Sequence, residues 1–119
     1  MARVLTQAEA RNLGLPGRKS IEIVSGETGS RAVTLRLVEI SVPAPGEAAR
    51  GRHFHADTEE CIYVMSGSGC TESASGDHTL RAGDAILIPP GEPHVTRNTG
   101  SEPLVLLCFF PVARVTNRP

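Results

Sequence analysis

Tryptophan is missing from this sequence, and the aromatic complement is one tyrosine and three phenylalanines. A 119-residue chain so poor in rings must build its core from Val, Leu, Ile and Ala. Charge of one sign is also missing. Twelve basic and thirteen acidic residues are scattered along the chain for a net charge of −1. Without a basic stripe, we expect neither a nucleic acid nor an anionic membrane as partner. No apolar run approaches the roughly 20 residues that cross a bilayer. The opening MARVLTQAEARNLG lacks the apolar stretch of a secretory signal. Cys61, Cys70 and Cys108 are an odd set with no recurring spacing, a poor disulfide framework. A reduced, cytoplasmic setting is the expectation.

Turn formers, by contrast, are plentiful: twelve glycines and nine prolines. They punctuate short β-type runs at 20–25, 31–42, 50–55, 60–66, 69–74, 78–82, 85–89, 94–98 and 103–112. This pattern predicts an all-β sandwich or barrel. One helix is expected, at the start. Thr6 and Glu9 have capping-box spacing, and Gly14 would stop the helix after about two turns. The run 31–42 changes phase, with Val33, Leu35 and Leu37 on one face and Val38, Ile40 and Val42 on the other. A bulge near Leu37 or a strand covered on both faces would explain it. The run 104–112 is apolar at nearly every position and reads as buried on both sides.

Two clusters carry chemistry. HFHADTEE (53–60) packs two of the four histidines and three acidic residues into eight positions. On a strand, His53 and His55 would share a face, because side chains alternate. In the next strand Glu60 shares parity with Ile62 and Val64, which draws a carboxylate toward the interior. A carboxylate there needs a partner, and two imidazoles holding a divalent cation would supply one. Glu59 falls on the solvated side of this alternation, and Asp57 reads as a turn residue. The second cluster, GDAILIPPGEPHVTRN (83–98), delivers His94, Thr96 and Asn98 onto one face of a new strand.

Those clusters resemble the cupin motifs. Gly83, Pro89, Gly91, His94 and Asn98 match the second motif, G-x5-P-x-G-x2-H-x3-N, at every fixed position. Five such matches arise by chance in well under about one chain in a thousand. The first motif matches at His53, His55, Glu60 and Gly67, while its leading glycine stands one place early, at Gly46. The resemblance implies a double-stranded β-helix of jelly-roll type. It implies one cupin domain over residues 1–119, with an arm at about 1–19 and a barrel at about 20–112. It implies one metal bound by His53, His55, Glu60 and His94.

Three imidazoles and a carboxylate form a mixed N/O set that leaves two positions free on an octahedral ion. That favours Fe(II) or Mn(II), with Ni(II), Zn(II), Co(II) or Cu(II) as alternatives. The family hosts dioxygenases, decarboxylases, isomerases and lyases as well as plain binding barrels, and fold does not choose among them. The expectation is a metalloenzyme acting on a small organic acid or oxo compound; the alternative is a non-catalytic small-molecule binding or sensing barrel. Glu39 would be a general base beside the ligands if its face looked inward, and Cys108 would line the pocket on the same condition. Cys61 is expected to pack and His78 to lie at the surface. The apolar strand 104–110 and the long strand 31–42 predict a homodimer.

Overall fold

The computed structural model describes residues 1–119. Nine strands form two antiparallel sheets. In chain order they are β1 (Arg11–Asn12), β2 (Lys19–Val24), β3 (Thr34–Ile40), β4 (Glu60–Ser66), β5 (Ser68–Ser73), β6 (Gly76–Arg81), β7 (Ala85–Ile88), β8 (His94–Asn98) and β9 (Leu104–Phe110). The larger sheet runs β1-β2-β3-β9-β4-β7 and the smaller β6-β5-β8. The architecture is an all-β jelly roll, as expected. Alternation decides which side chains enter. In β4, Glu60, Ile62 and Val64 are buried, while Cys61, Tyr63 and Met65 are exposed. In β9, Leu104, Leu106, Cys108 and Phe110 face inward. With Val38, Ile40, Leu80 and Ile88 they form one apolar cluster with contributions from both sheets.

Gly67 turns the chain from β4 in one sheet into β5 in the other. Its φ is +85°, and a Cβ there would lie 2.6 Å from the Pro103 carbonyl oxygen. Both facts demand glycine. Asn98 ties strand ends together: its amide donates to the carbonyls of Ile40 (2.9 Å) and Glu102 (2.7 Å), and its oxygen accepts from Gly100 N–H.

Four local expectations are corrected. The N-terminal helix is a single 3-10 turn, Gln7–Glu9, and the Thr6 side chain caps nothing. Arg11 and Asn12 pair instead with β2, so sheet hydrogen bonds replace helical ones. Ser25 and Thr28 make the capping box that is found, on the 3-10 turn Gly26–Thr28. The run 50–55 is not a full strand; only His53 and Phe54 form bridges, to His94 and Arg118. No bulge lies at Leu37, because β3 pairs with β9 in unbroken register from Thr34 to Ile40. The register shift sits across from it, in β2 between Glu22 and Val24. The apparent phase change has a simple cause: the inward face of β3 begins with polar Thr34 and Arg36 before Val38 and Ile40. Finally, Glu39 is exposed on the outer face and cannot serve the interior, and Cys61, on the face opposite to Glu60, is exposed rather than packed.

Candidate metal centre

The two clusters meet through the backbone. His53 N–H donates to the His94 carbonyl (3.0 Å) and His94 N–H to that of His53 (2.8 Å), which lays the loop along the edge of β8. Gly91, with φ +79° in the turn before β8, donates its N–H to the His55 carbonyl at 2.8 Å. His55 therefore hangs beside His94, and Glu60 opens β4 across from both. Ligand atoms of His53, His55, Glu60 and His94 all lie within 4.8 Å of one another. Imidazole centroids stand 4.4 Å (His53–His94), 5.1 Å (His53–His55) and 5.5 Å (His55–His94) apart. His55, Glu60 and His94 are buried and His53 is half-buried.

Outer contacts set the tautomers. His55 Nδ1 donates to the Thr116 carbonyl at 2.9 Å, and His94 Nδ1 to the Glu92 carbonyl at 2.9 Å. A carbonyl only accepts, so each Nδ1 carries the proton and each neutral ring turns a lone pair at Nε2 toward the centre. There they meet a third acceptor, Glu60 Oε1, 3.0 Å from His94 Nε2 and 3.2 Å from His55 Nε2. His55 Nε2 is off the hydrogen-bonding direction to that oxygen and is buried without a partner. Acceptors converging on one point need a proton or a cation between them. In the absence of metal, protons do part of this. Burial disfavours imidazolium at His94, but the Glu60 carboxylate and the Glu92 carbonyl more than reverse it and raise its pKa. Burial also pushes the Glu60 carboxyl up, yet contacts from His55 and His94 hold it down at about 2. His53 is lowered to about 4, by burial first and by the neighbouring His94 second. One imidazolium still leaves His55 Nε2 orphaned. A divalent ion would satisfy all four residues at once, so the donor set fits a metal.

Around this cluster lies a chamber of about 50 Å³ with apolar walls from Ile62, Leu106 and Phe110. Thr96 also reaches it, and so does Cys108, whose thiol pKa is pushed well up, by burial foremost. His78 and Glu59 lie exposed and outside the cluster. Sequence reasoning passed over three cations at the site: Arg18, Arg36 and Arg50. Arg36 was legible, since it shares parity with Val38 and Ile40. It is matched by Glu22 Oε1 at 3.1 Å, both side chains being about one-tenth exposed or less. Arg18 and Arg50 sit in irregular segments, where parity gives no direction. Thr116 and Asn117 reach the site from the C-terminal segment, again with no periodic signal.

The family model for the Cupin domain matches residues 40–110. An uncharacterised protein of Methanocaldococcus jannaschii is 32% identical over 78 residues, covering 66% of this chain and 61% of its own length. The oxalate-binding protein of Thermotoga maritima is 32% identical over 66 residues, 56% of this chain and 54% of that protein. The chain thus spans less than two-thirds of these curated relatives. Among solved structures, Bacillus subtilis oxalate decarboxylase, a protein with Mn(II) centres, superposes with a TM-score of 0.79 at 25% identity. That match covers 93% of this chain and 30% of the decarboxylase. With the model match extending over more than half of its residues and both motifs converging on one chamber, the chain belongs to the cupin family.

Proposed function

We propose that this protein is a mononuclear metal-dependent enzyme acting on a small organic acid or oxo compound, with His53, His55, Glu60 and His94 as the metal ligands. The observation that carries this reading is the buried, partnerless His55 Nε2 facing the Glu60 carboxylate among pre-set imidazole lone pairs. A bound divalent ion would supply Lewis acidity and, as Fe(II) or a related metal, redox capacity. Fe(II) and Mn(II) suit the N/O donors best, and the Mn(II) centres of the structurally similar decarboxylase are in line with this. The chain's own residues do the rest. The carbonyls of Thr116 and Glu92 hold two imidazoles in orientation. Ile62, Leu106 and Phe110 keep bulk water from the reacting end of a ligand, which strengthens electrostatic effects there. Arg18 and Arg50 make the approach favourable to an acid.

A binding barrel is the second reading, favoured by one specific relative, the oxalate-binding protein. We further propose that residues 1–119 act as one cupin unit that pairs as a homodimer. Incubation of Fe(II)-, Mn(II)-, Ni(II)- and Zn(II)-loaded protein with small carboxylic, 2-oxo and diketo acids, followed by NMR, separates the two functional readings. Turnover of at least one compound is expected. Tight, metal-dependent binding with every compound unchanged after hours would replace the enzyme by the binding barrel.

A further inference from the structure

The chamber at the metal cluster is small, about 50 Å³. One water needs roughly 10–15 Å³ on that scale, so only a head group of a few atoms enters. Outside it, past His53, opens a mouth of about 690 Å³. Arg18 and Arg50 stand at the junction and line both spaces. The turn at Pro16–Gly17 brings them together. Gly17 has φ +73°, and a Cβ there would lie 2.5 Å from Arg50 Cδ, so the arm rests directly on the Arg50 stem. Each guanidinium spends one nitrogen on a backbone carbonyl, Arg18 on Pro16 and Arg50 on Thr96. Neither forms an ion pair, unlike Arg11, Arg36, Arg97 and Arg114. Glu47 lines the mouth as well but pairs with neither; its side chain accepts from the Ala44 N–H. Two half-buried cations therefore face one space with most of their donors unspent.

Resting on the metal-dependent reading above, we infer that Arg18 and Arg50 form an anion subsite at the mouth, and that the ligand is a two-ended dianion. Its head group reaches the metal cluster through the small chamber, and its tail carboxylate or phosphate is held by the two guanidinium groups. Burial lowers the pKa of both arginines; Arg36 lowers Arg18 further against the pull of Glu60, and Arg18 and Arg97 lower Arg50 further against that of Glu47. An anion at the mouth would offset the repulsion that Arg18 exerts on Arg50. Planar forks of this kind suit either oxyanion. Arg18, from the N-terminal arm, is the specificity-determining residue, because it stands at the junction where a tail leaves the chamber for the mouth.

Calorimetry on the Mn(II)-loaded protein under anaerobic conditions tests this with three probes sharing one head: 2-oxobutanoate, 2-oxoglutarate and 4-phosphono-2-oxobutanoate. The two dianions should bind at least about tenfold more tightly than 2-oxobutanoate, the scale of one charge-assisted hydrogen bond. The tighter of the two identifies the tail as carboxylate or phosphate. Arg18→Gln should abolish most of that preference, weakening the two dianions several-fold more than 2-oxobutanoate, and Arg18→Lys should restore part of it. Equal affinity for all three probes, or an equal loss for all three in Arg18→Gln, overturns the subsite and leaves the metal reading standing. If no probe binds the loaded protein any better than the metal-free protein, the subsite and the chelation reading fall together.

Discussion

His55 is oriented by a carbonyl 61 residues away, at Thr116, while its Nε2 is left without a hydrogen-bond partner. Such a nitrogen is costly in a structure stabilised only by packing, and useful in one that takes up a cation. The double variant His53→Ala, His94→Ala should fall from about one metal per chain to background by elemental analysis; full retention would reject the ligand set. The acid dependence follows from the directions of the shifts. His94 has a raised pKa in the metal-free protein, so metal must displace a proton as pH falls below that value. Apparent affinity should then drop by at least about tenfold per pH unit, the slope of one displaced proton. His53, lowered to about 4, competes with the metal for a proton only near that pH. An affinity unchanged as the pH is lowered from 7 to 5, by chelator competition, would contradict ligation by His94.

At the scale of elements, β2 and β3 carry a device that apolar packing alone does not supply. Glu22 accepts from Arg36 inside the barrel and from Arg11 on β1, so the short edge strand is stapled to the wall of the site. Burial pushes the Glu22 carboxyl up, but Ser25, Arg11 and Arg36 together hold it below its usual value. Glu22→Gln leaves Arg36 buried and uncompensated, and should cost roughly 3–5 kcal/mol in urea unfolding. A loss under 1 kcal/mol would mean that water reaches Arg36. The crossing between sheets makes a comparable claim. Gly67→Ala puts a methyl against the Pro103 carbonyl in a left-handed turn. A destabilisation of roughly 1–3 kcal/mol is expected, and wild-type stability in the same assay would show that the turn can relax. These elements also separate what could be read in advance from what could not. Parity placed Glu60, Ile62 and Val64 inside β4 correctly, since strand geometry allows no other alternation. The same rule gave no purchase on residues 50–55, because a segment that pairs at only two positions has no sustained period.

For the whole molecule, the large sheet presents an outer face richer in apolar groups than an isolated barrel needs. Leu35, Phe109, Cys61 and Leu87 lie in register across β3, β9, β4 and β7, with Leu37, Leu107, Tyr63 and Ala85 in the next row. Tyr63, Met65 and Leu87 are each about half exposed. Covering this face with a second copy would remove it from water, as closed two-fold pairs commonly do. Light scattering should therefore give about twice the 12.6 kDa chain mass at micromolar concentration. Tyr63→Glu with Leu87→Glu should shift the mass to the monomer without unfolding it. A wild-type monomer would leave the face without this role. The sequence by itself determined the barrel class, the inward phase of β4 and β8, and the four residues that gather in the chamber; the phase of β9, apolar on both faces, was left to the structure. It could do so because alternation and turn chemistry are local, and both motifs are short. Only the tertiary structure decided the rest. It replaced the N-terminal helix by an edge strand, because pairing with β2 offered Arg11 and Asn12 better backbone partners. It also carried Arg18 from the arm, Arg50 from an irregular loop and Thr116 from the far end to a single site. Those meetings depend on loop paths and on contacts between residues distant in the chain, for which no local period exists to be read.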